Sequence, residues 1–158
     1  MTGGELSSLI NEETSIKVSS TLEKANGKRN LIDGSPETCW TSQQSFRNIQ
    51  GLPQFIQLGF TNRVIPKRVS ITFQGGFVGT RCAICIPTDE SGKKDWRPFT
   101  TIFPEDVNRR QMFELVPSQP DLLTEGVIAL KLVFEESSDF FGRITVYDVA
   151  VEGSSARF

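Results

Sequence analysis

Val69-Ser70-Ile71-Thr72-Phe73-Gln74-Gly75-Gly76-Phe77 carries the fold signal in one short stretch. Val69, Ile71 and Phe73 alternate with Ser70, Thr72 and Gln74, a period of two that places apolar side chains on one face of a half-buried strand. Gly75-Gly76 then supplies a turn. The same period recurs on both sides. Upstream, Ile56, Leu58 and Phe60 alternate with Gln57 and Gly59, and Thr61-Asn62-Arg63 reads as the turn between the two strands. Downstream, Ile128, Leu130, Leu132 and Phe134 interleave with Val127, Ala129, Lys131 and Val133, a strand covered on most of both faces. Tyr147, Val149 and Val151 alternate with Asp148, Ala150 and Glu152 near the C-terminus. Weaker strands are expected near Ile16–Ser20, Arg81–Ile86, Phe99–Phe103 and Gln111–Val116. Turn signals separate them at Asp33-Gly34, Glu90-Ser91-Gly92-Lys93, Pro104-Glu105-Asp106 and Pro117-Ser118-Gln119-Pro120. About eight antiparallel strands at this spacing read as an all-β sandwich or barrel.

Composition agrees. Of 158 residues, 51 are Val, Ile, Thr, Phe, Tyr or Trp, whereas only 16 are Ala or Leu. A length of 158 matches one hydrophobic core, and the sequence predicts a single domain over 14–153 with loose tails at 1–13 and 154–158. The net charge of −2 gives no positive field, so direct nucleic-acid binding is not expected. No apolar run approaches the roughly 20 residues that span a bilayer, so no membrane insertion is expected. Met1–Ser8 contains Glu5 and no apolar stretch, which predicts no secretory leader.

Histidine is absent, which removes the commonest general base and the Ser-His and Cys-His nucleophile pairs. Cys82 and Cys85 form one C-x-x-C without a second pair, so they read as strand cysteines and not as a zinc site. Unpaired thiols point to a reducing, intracellular setting, nucleus or cytoplasm. The isolated pairs Lys93-Lys94 and Arg109-Arg110 do not form a basic run that would choose between them. No nucleophile elbow, P-loop or dinucleotide fingerprint occurs, so the chain is expected not to be an enzyme. Glu135-Glu136 and Glu105-Asp106 read as solvated turns and not as paired catalytic acids.

Three segments exceed what strands need: Asn30 to Ser42, Phe73-Gln74-Gly75-Gly76-Phe77, and Phe134 to Arg143 with its Asp139-Phe140-Phe141-Gly142-Arg143 run. Leu31, Asp33, Gly34, Thr38, Trp40 and Ser42 fall as L-x-D-G-x-x-x-T-x-W-x-S, and Gly142 to Gly153 reads G-R-I-x-V-Y-D-V-x-V-x-G. This pattern resembles the discoidin (coagulation factor type C), galactose-binding-like domain superfamily. Glu37-Thr38-Cys39-Trp40, the Phe73–Phe77 stretch, Phe103-Pro104-Glu105-Asp106 and Asp139–Arg143 are similar to a small intracellular branch of it, the nuclear receptor-associated proteins. The resemblance implies a jelly-roll β-sandwich acting as a non-enzymatic protein-binding module. In that branch it implies a nuclear receptor as partner and transcriptional repression by blocking the receptor's DNA binding. The wider superfamily implies the alternative, a carbohydrate-binding, lectin-like domain.

The expected partner contacts are Phe77, Arg81, Phe140, Phe141 and Arg143, since aromatic and arginine anchors suit a protein hot spot. Adjacent Phe140 and Phe141 cannot both face inward if extended. Arg81 and Arg143 either meet a ligand or pair with Asp139 or Glu136. Trp40 is expected in the core. The resemblance also implies a structural Ca²⁺ held by Asn30, Asp33, Ser35, Thr38, Tyr147 and Asp148. Two positions depart from the family pattern: Ser35 stands where a loop acid is usual, and Asp148 where the closing glutamate is usual. The other reading of Asp33 is a side chain that simply caps its own turn.

Overall fold

A computed structural model describes residues 6–43, 51–88, 95–117 and 125–155. The architecture is the expected antiparallel jelly-roll sandwich. Among the described residues nine strands run in chain order: β1 Ser7–Ser8, β2 Ser15–Val18, β3 Trp40–Thr41, β4 Gln54–Phe73, β5 Arg81–Pro87, β6 Trp96–Ile102, β7 Arg110–Glu114, β8 Val127–Glu136 and β9 Thr145–Ser155. Two short 3₁₀ turns, Lys24–Asn26 and Lys28–Leu31, lead into the Asp33-Gly34 loop.

The central element is β4, and here the sequence reading needs correction. Thr61-Asn62-Arg63 does not reverse the chain; one strand of 20 residues runs through it. Its first half pairs with β2 and β8, and its second half with β7 and β9. Register with β8 breaks between Gly59 and Val64, so the three polar residues form an irregularity at which β4 passes from one layer to the other. A second break sets the inward face. Pro66 opposes Gly153 and Arg68 opposes Glu152, leaving Lys67 as one extra residue. The buried positions accordingly change from even (Ile56, Leu58, Val64) to odd (Val69, Ile71, Phe73). Gly153 fits this crossing because a Cβ there would lie 2.0 Å from the Ile65 carbonyl oxygen.

Strands β2, the first half of β4, β8, β5 and β6 form one layer. Strands β7, the second half of β4, β9, β1 and β3 form the other. Ile56, Leu58, Ile84, Leu130, Leu132 and Phe134 from the first layer meet Val69, Ile71, Phe73, Val146, Val149 and Val151 from the second in one core. Phe73 and Phe134 join the layers edge to face, with ring centroids 5.7 Å apart. Trp40 is buried as expected, and its indole nitrogen donates to the Ser20 carbonyl at 3.0 Å.

The expected N-terminal tail is partly structured. Ser7 and Ser8 pair with Gly153 and Glu152, and buried Leu9 donates its amide to the Val151 carbonyl. At the other end β9 continues through Ser155. Strand pairing thus reaches beyond 14–153 at both ends, where an N-terminal edge strand covers the end of β9. The turn at 90–93, the pair Lys93-Lys94, residues 118–120 and the extreme termini lie outside the described residues.

Phe134→Ala should cost about 3–5 kcal/mol of unfolding free energy, because it opens a cavity between the layers. Chemical denaturation checks this. A loss below about 1 kcal/mol would mean the Phe73–Phe134 contact does not hold the layers together.

Candidate functional site

Two places at the surface concentrate polar and aromatic side chains. The first is the loop end, built from the segments after β4 (Gln74–Thr80), β6 (Phe103–Arg109) and β8 (Ser137–Ile144). Gly76 adopts a φ of 91°, which turns the chain back after β4. Its amide donates to Asp106 Oδ1 at 2.8 Å, and that oxygen also accepts the Ser138 hydroxyl at 3.2 Å. Val78 and Ser138 exchange two further bonds: the Val78 amide donates to the Ser138 hydroxyl, and the Ser138 amide to the Val78 carbonyl. The Asp139 carboxylate accepts the Arg143 amide at 2.9 Å, closing the Phe140-Phe141 loop on itself. Three loops are thus tied into one surface.

On that surface Arg143 lies over the Phe77 ring, with its guanidinium carbon 4.1 Å from the centroid. Its Nε is buried and has no hydrogen-bond partner. Phe140 and Phe141 stand edge to face, 5.2 Å between centroids, and are 72% and 45% exposed. Arg81 does not join them. It forms an ion pair with Glu135 at 3.5 Å on the neighbouring strand, in place of the Asp139 or Glu136 pairing considered from sequence. Arg143 meets Asp139 only through its backbone amide. The sequence reading placed Phe103 at the end of a strand and not among the partner contacts; it is 66% exposed just after β6, in this loop cluster. Its signal was a large aromatic directly after a strand and before Pro104-Glu105-Asp106. Asp106, read as a solvated turn acid, is the residue that ties the loops together.

The second place is a cavity of about 480 Å³ on the outer face of the second layer. Its lining is Gly34, Ser35, Pro36, Thr72, Asn108, Tyr147 and Asp148. A bulge explains how neighbours Tyr147 and Asp148 come to share it. Thr72 opposes Asp148 but Phe73 opposes Val146, so Tyr147 is an extra residue in β9. The sequence reading set Tyr147 on the core face opposite Asp148. The bulge instead keeps Val146 and Val149 buried and leaves Tyr147 half-buried beside Asp148.

Electrostatics separate the two acids near this cavity. Asp33 is held below the usual carboxylate range by the Thr38 hydroxyl on one oxygen (2.5 Å) and the Ser35 amide on the other (2.9 Å). Burial pushes Asp148 upward, and the charge of Asp33 adds to this while Arg110 opposes it. Asn30 donates its side-chain amide to the Ala25 and Cys39 carbonyls, both at 2.8 Å. Calcium asks for six to eight oxygens. Among the described residues no three acidic, Cys or His side chains converge, both oxygens of Asp33 already accept bonds within its turn, and Arg110 acts on Asp148. These side chains alone do not complete a calcium cage; backbone carbonyls of the Asp33 turn would have to supply the remaining oxygens. The cysteines likewise make no thiolate pair: Cys82 is in the core, and burial raises both its thiol and that of Cys85.

No protein-family model matches the chain. The nuclear receptor 2C2-associated protein of Danio rerio is 39% identical over 151 residues, 92% of this chain and 95% of that protein. The Homo sapiens protein of the same name is 34% identical over 149 residues, 92% and 96% of the two chains. Among solved structures, the F5/8 type C domain of a Bacteroides fragilis protein superposes with a TM-score of 0.72 at 13% identity, covering 96% of this chain and 99% of that one. The family 32 carbohydrate-binding module of C. perfringens NanJ, in complex with galactose, gives 0.71 at 14% identity, covering 94% and 99%. Chitosan-binding module 2 of a Paenibacillus chitosanase/glucanase, in complex with chitotriose, gives 0.68 at 14%, covering 87% and 95%. These structural likenesses establish the galactose-binding-like fold. Among the described residues no helix is long and apolar enough to cross a membrane.

Two measurements test the cavity's electrostatics. The folded protein binds the Asp148 proton more tightly than the unfolded chain does, so ionised Asp148 lowers stability above its folded pKa. This cost disappears as pH falls through that pKa. Asp148→Asn should therefore melt slightly higher than wild type at pH 7, at about 2–4 °C per kcal/mol for this size, with the gain shrinking toward pH 4. A lower melting temperature at pH 7 would show that Asp148 makes a net attractive contact. Separately, millimolar calcium should leave the wild-type melting temperature where chelator leaves it. A rise of several degrees would show that backbone oxygens complete a cage the side chains do not.

Proposed function

The chain belongs to the nuclear receptor 2C2-associated protein family, and from that premise we propose that it is a non-catalytic protein-binding module whose loop end docks a nuclear receptor of the 2C2 type. The observation that carries this reading is the exposed Phe140-Phe141 pair beside the Phe77–Arg143 stack, on loops already tied together by Asp106, Ser138 and Asp139. Aromatic and arginine anchors on a preorganised surface lose little conformational entropy on docking and supply most of a hot spot's energy. Phe103 adds apolar area at the same end. The compartment this reading implies is intracellular, nucleus or cytoplasm, and the consequence is repression of the receptor's transcriptional activity.

Carbohydrate binding is the second reading, favoured by structural neighbours that hold galactose and chitotriose. A glycan array discriminates the two, since binding to neutral galactosides or other unmodified glycans at micromolar affinity would support the lectin-like reading.

Phe140→Ala/Phe141→Ala should weaken binding to a purified 2C2-type nuclear receptor at least tenfold while shifting the melting temperature by no more than about 2 °C. Biolayer interferometry with a parallel thermal melt checks it. Unchanged affinity, or a variant that unfolds, would remove these residues from the contact surface.

A further inference from the structure

A strand at the edge of a sheet leaves alternate amides and carbonyls unpaired, and proteins blunt such edges with proline, lysine, bulges or short length. Most edges of this sandwich are blunted. β6 carries exposed Pro98 and an extra residue, Phe99, where its register with β5 shifts. β2 has four residues including exposed Lys17, and β1 and β3 have two each. β7 has none of these devices. Arg110–Glu114 contains no proline or lysine and pairs with β4 in one unbroken register. Among the described residues no strand pairs with its other edge.

The register shows which groups face that open edge. The Leu115 amide donates to the Lys67 carbonyl at 2.9 Å, so the alternate residues Phe113 and Gln111 also turn their backbone to β4. Arg110, Met112 and Glu114 therefore direct their amides and carbonyls outward. Their side chains are all exposed on the outer face of the second layer, Met112 at 56%. The order of these residues suits the same strand reversed. Laid antiparallel about a two-fold axis at Met112, the edge sets Arg110 opposite Glu114 of a second copy, Met112 opposite Met112, and Glu114 opposite Arg110. In all three pairs outward amides meet outward carbonyls, giving about six main-chain hydrogen bonds. The outer pairs join opposite charges and the central pair joins two apolar side chains. Arg68 already holds one oxygen of Glu114 at 2.8 Å, which fixes the carboxylate beside the edge. A slip of two residues either way keeps the hydrogen-bond pattern but sets Arg110 against Met112 or Val116, losing both ion pairs.

We propose that this chain forms a symmetric homodimer through antiparallel pairing of β7 with β7, which joins the second layers of two copies into one continuous sheet. The contact is short, so dimer and monomer exchange at micromolar concentrations.

Sedimentation equilibrium of the full chain from about 1 μM to about 500 μM tests this. The mass should rise with concentration from 17.6 kDa toward twice that value. Arg110→Glu and Glu114→Arg, each alone, should weaken self-association at least about tenfold, because each sets like charges opposite one another at both ends of the contact. Mixed in equal amounts, these two variants should associate with each other about as tightly as wild type does, since every opposed charge is then complementary. Met112→Pro should also prevent association while shifting the melting temperature of the dilute protein by no more than about 2 °C, because the amide it removes faces the open edge and not β4. Phe140→Ala/Phe141→Ala should self-associate as wild type does, which separates this edge from the receptor-docking reading. The proposal is overturned if the mass stays that of a monomer throughout, if a dimer forms that Met112→Pro and the single charge reversals leave intact, or if mixing the two reversals does not restore association. Should Met112→Pro not fold, the charge reversals carry the same comparison.

Discussion

Everything in this molecule hangs on β4 belonging to both layers. A sandwich made of two independent sheets is held only by side-chain packing, whereas here one continuous backbone crosses between them. The cost is geometric. A strand with a strict period of two cannot present its apolar residues to the same core from both layers without a phase change. The irregularity at Phe60–Arg63 redirects the chain, and the extra residue Lys67 supplies the phase change. Gly153 lets β9 approach at that crossing. Once Phe73 is placed by this route, its ring meets Phe134 across the core, and the end of β4 fixes where the Gly75-Gly76 turn begins.

The loop end inherits that rigidity. Loops are ordinarily the most mobile parts of a sandwich, yet here side-chain bonds between loops replace the missing ladders. Asp106 bonds two loops at once, and Asp139 and Ser137 hold the third in a closed turn. Arg143 is correspondingly constrained: stacked on Phe77, with its Nε removed from water and without an acceptor, it carries an unmet hydrogen bond. An unsatisfied buried donor costs free energy, and the contact of the guanidinium with the Phe77 ring offsets part of that cost.

Much of this was legible in the sequence, and the part that was not has a common cause. Alternation in Val69–Phe73 and Ile56–Leu58 identified strands and core, and Trp40 declared itself by size and position. Local pattern could not reveal that the two runs form one strand, because Thr61-Asn62-Arg63 has the composition of a turn and only the pairing of both halves with different partners shows otherwise. It also missed the Tyr147 bulge, since Tyr147 fits the apolar alternation of β9 and is displaced by the register of β4 opposite. Asp106 and Phe103 were hidden for the same reason: their importance lies in what the topology brings next to them. Asp33, by contrast, makes its bonds to Ser35 and Thr38 within five residues, and the capping reading of that turn was available from sequence.

The two surface sites meet in one segment. Asp106 holds the loop end through Gly76 and Ser138, while Asn108, two residues on, lines the outer-face cavity and holds Gly75 with its side-chain oxygen. The free face of Asn108 is its nitrogen. A fold shared by carbohydrate-binding modules and receptor-associated proteins does not by itself choose between those functions. In this chain the difference is local: exposed Phe140 and Phe141 stand beside the Phe77–Arg143 stack at the loop end, and a polar cavity lined by Thr72, Asn108, Tyr147 and Asp148 opens on the outer face. Because Asp106 and Asn108 lie in one segment and both hold the Gly75-Gly76 turn, the loop end and the outer face share one brace.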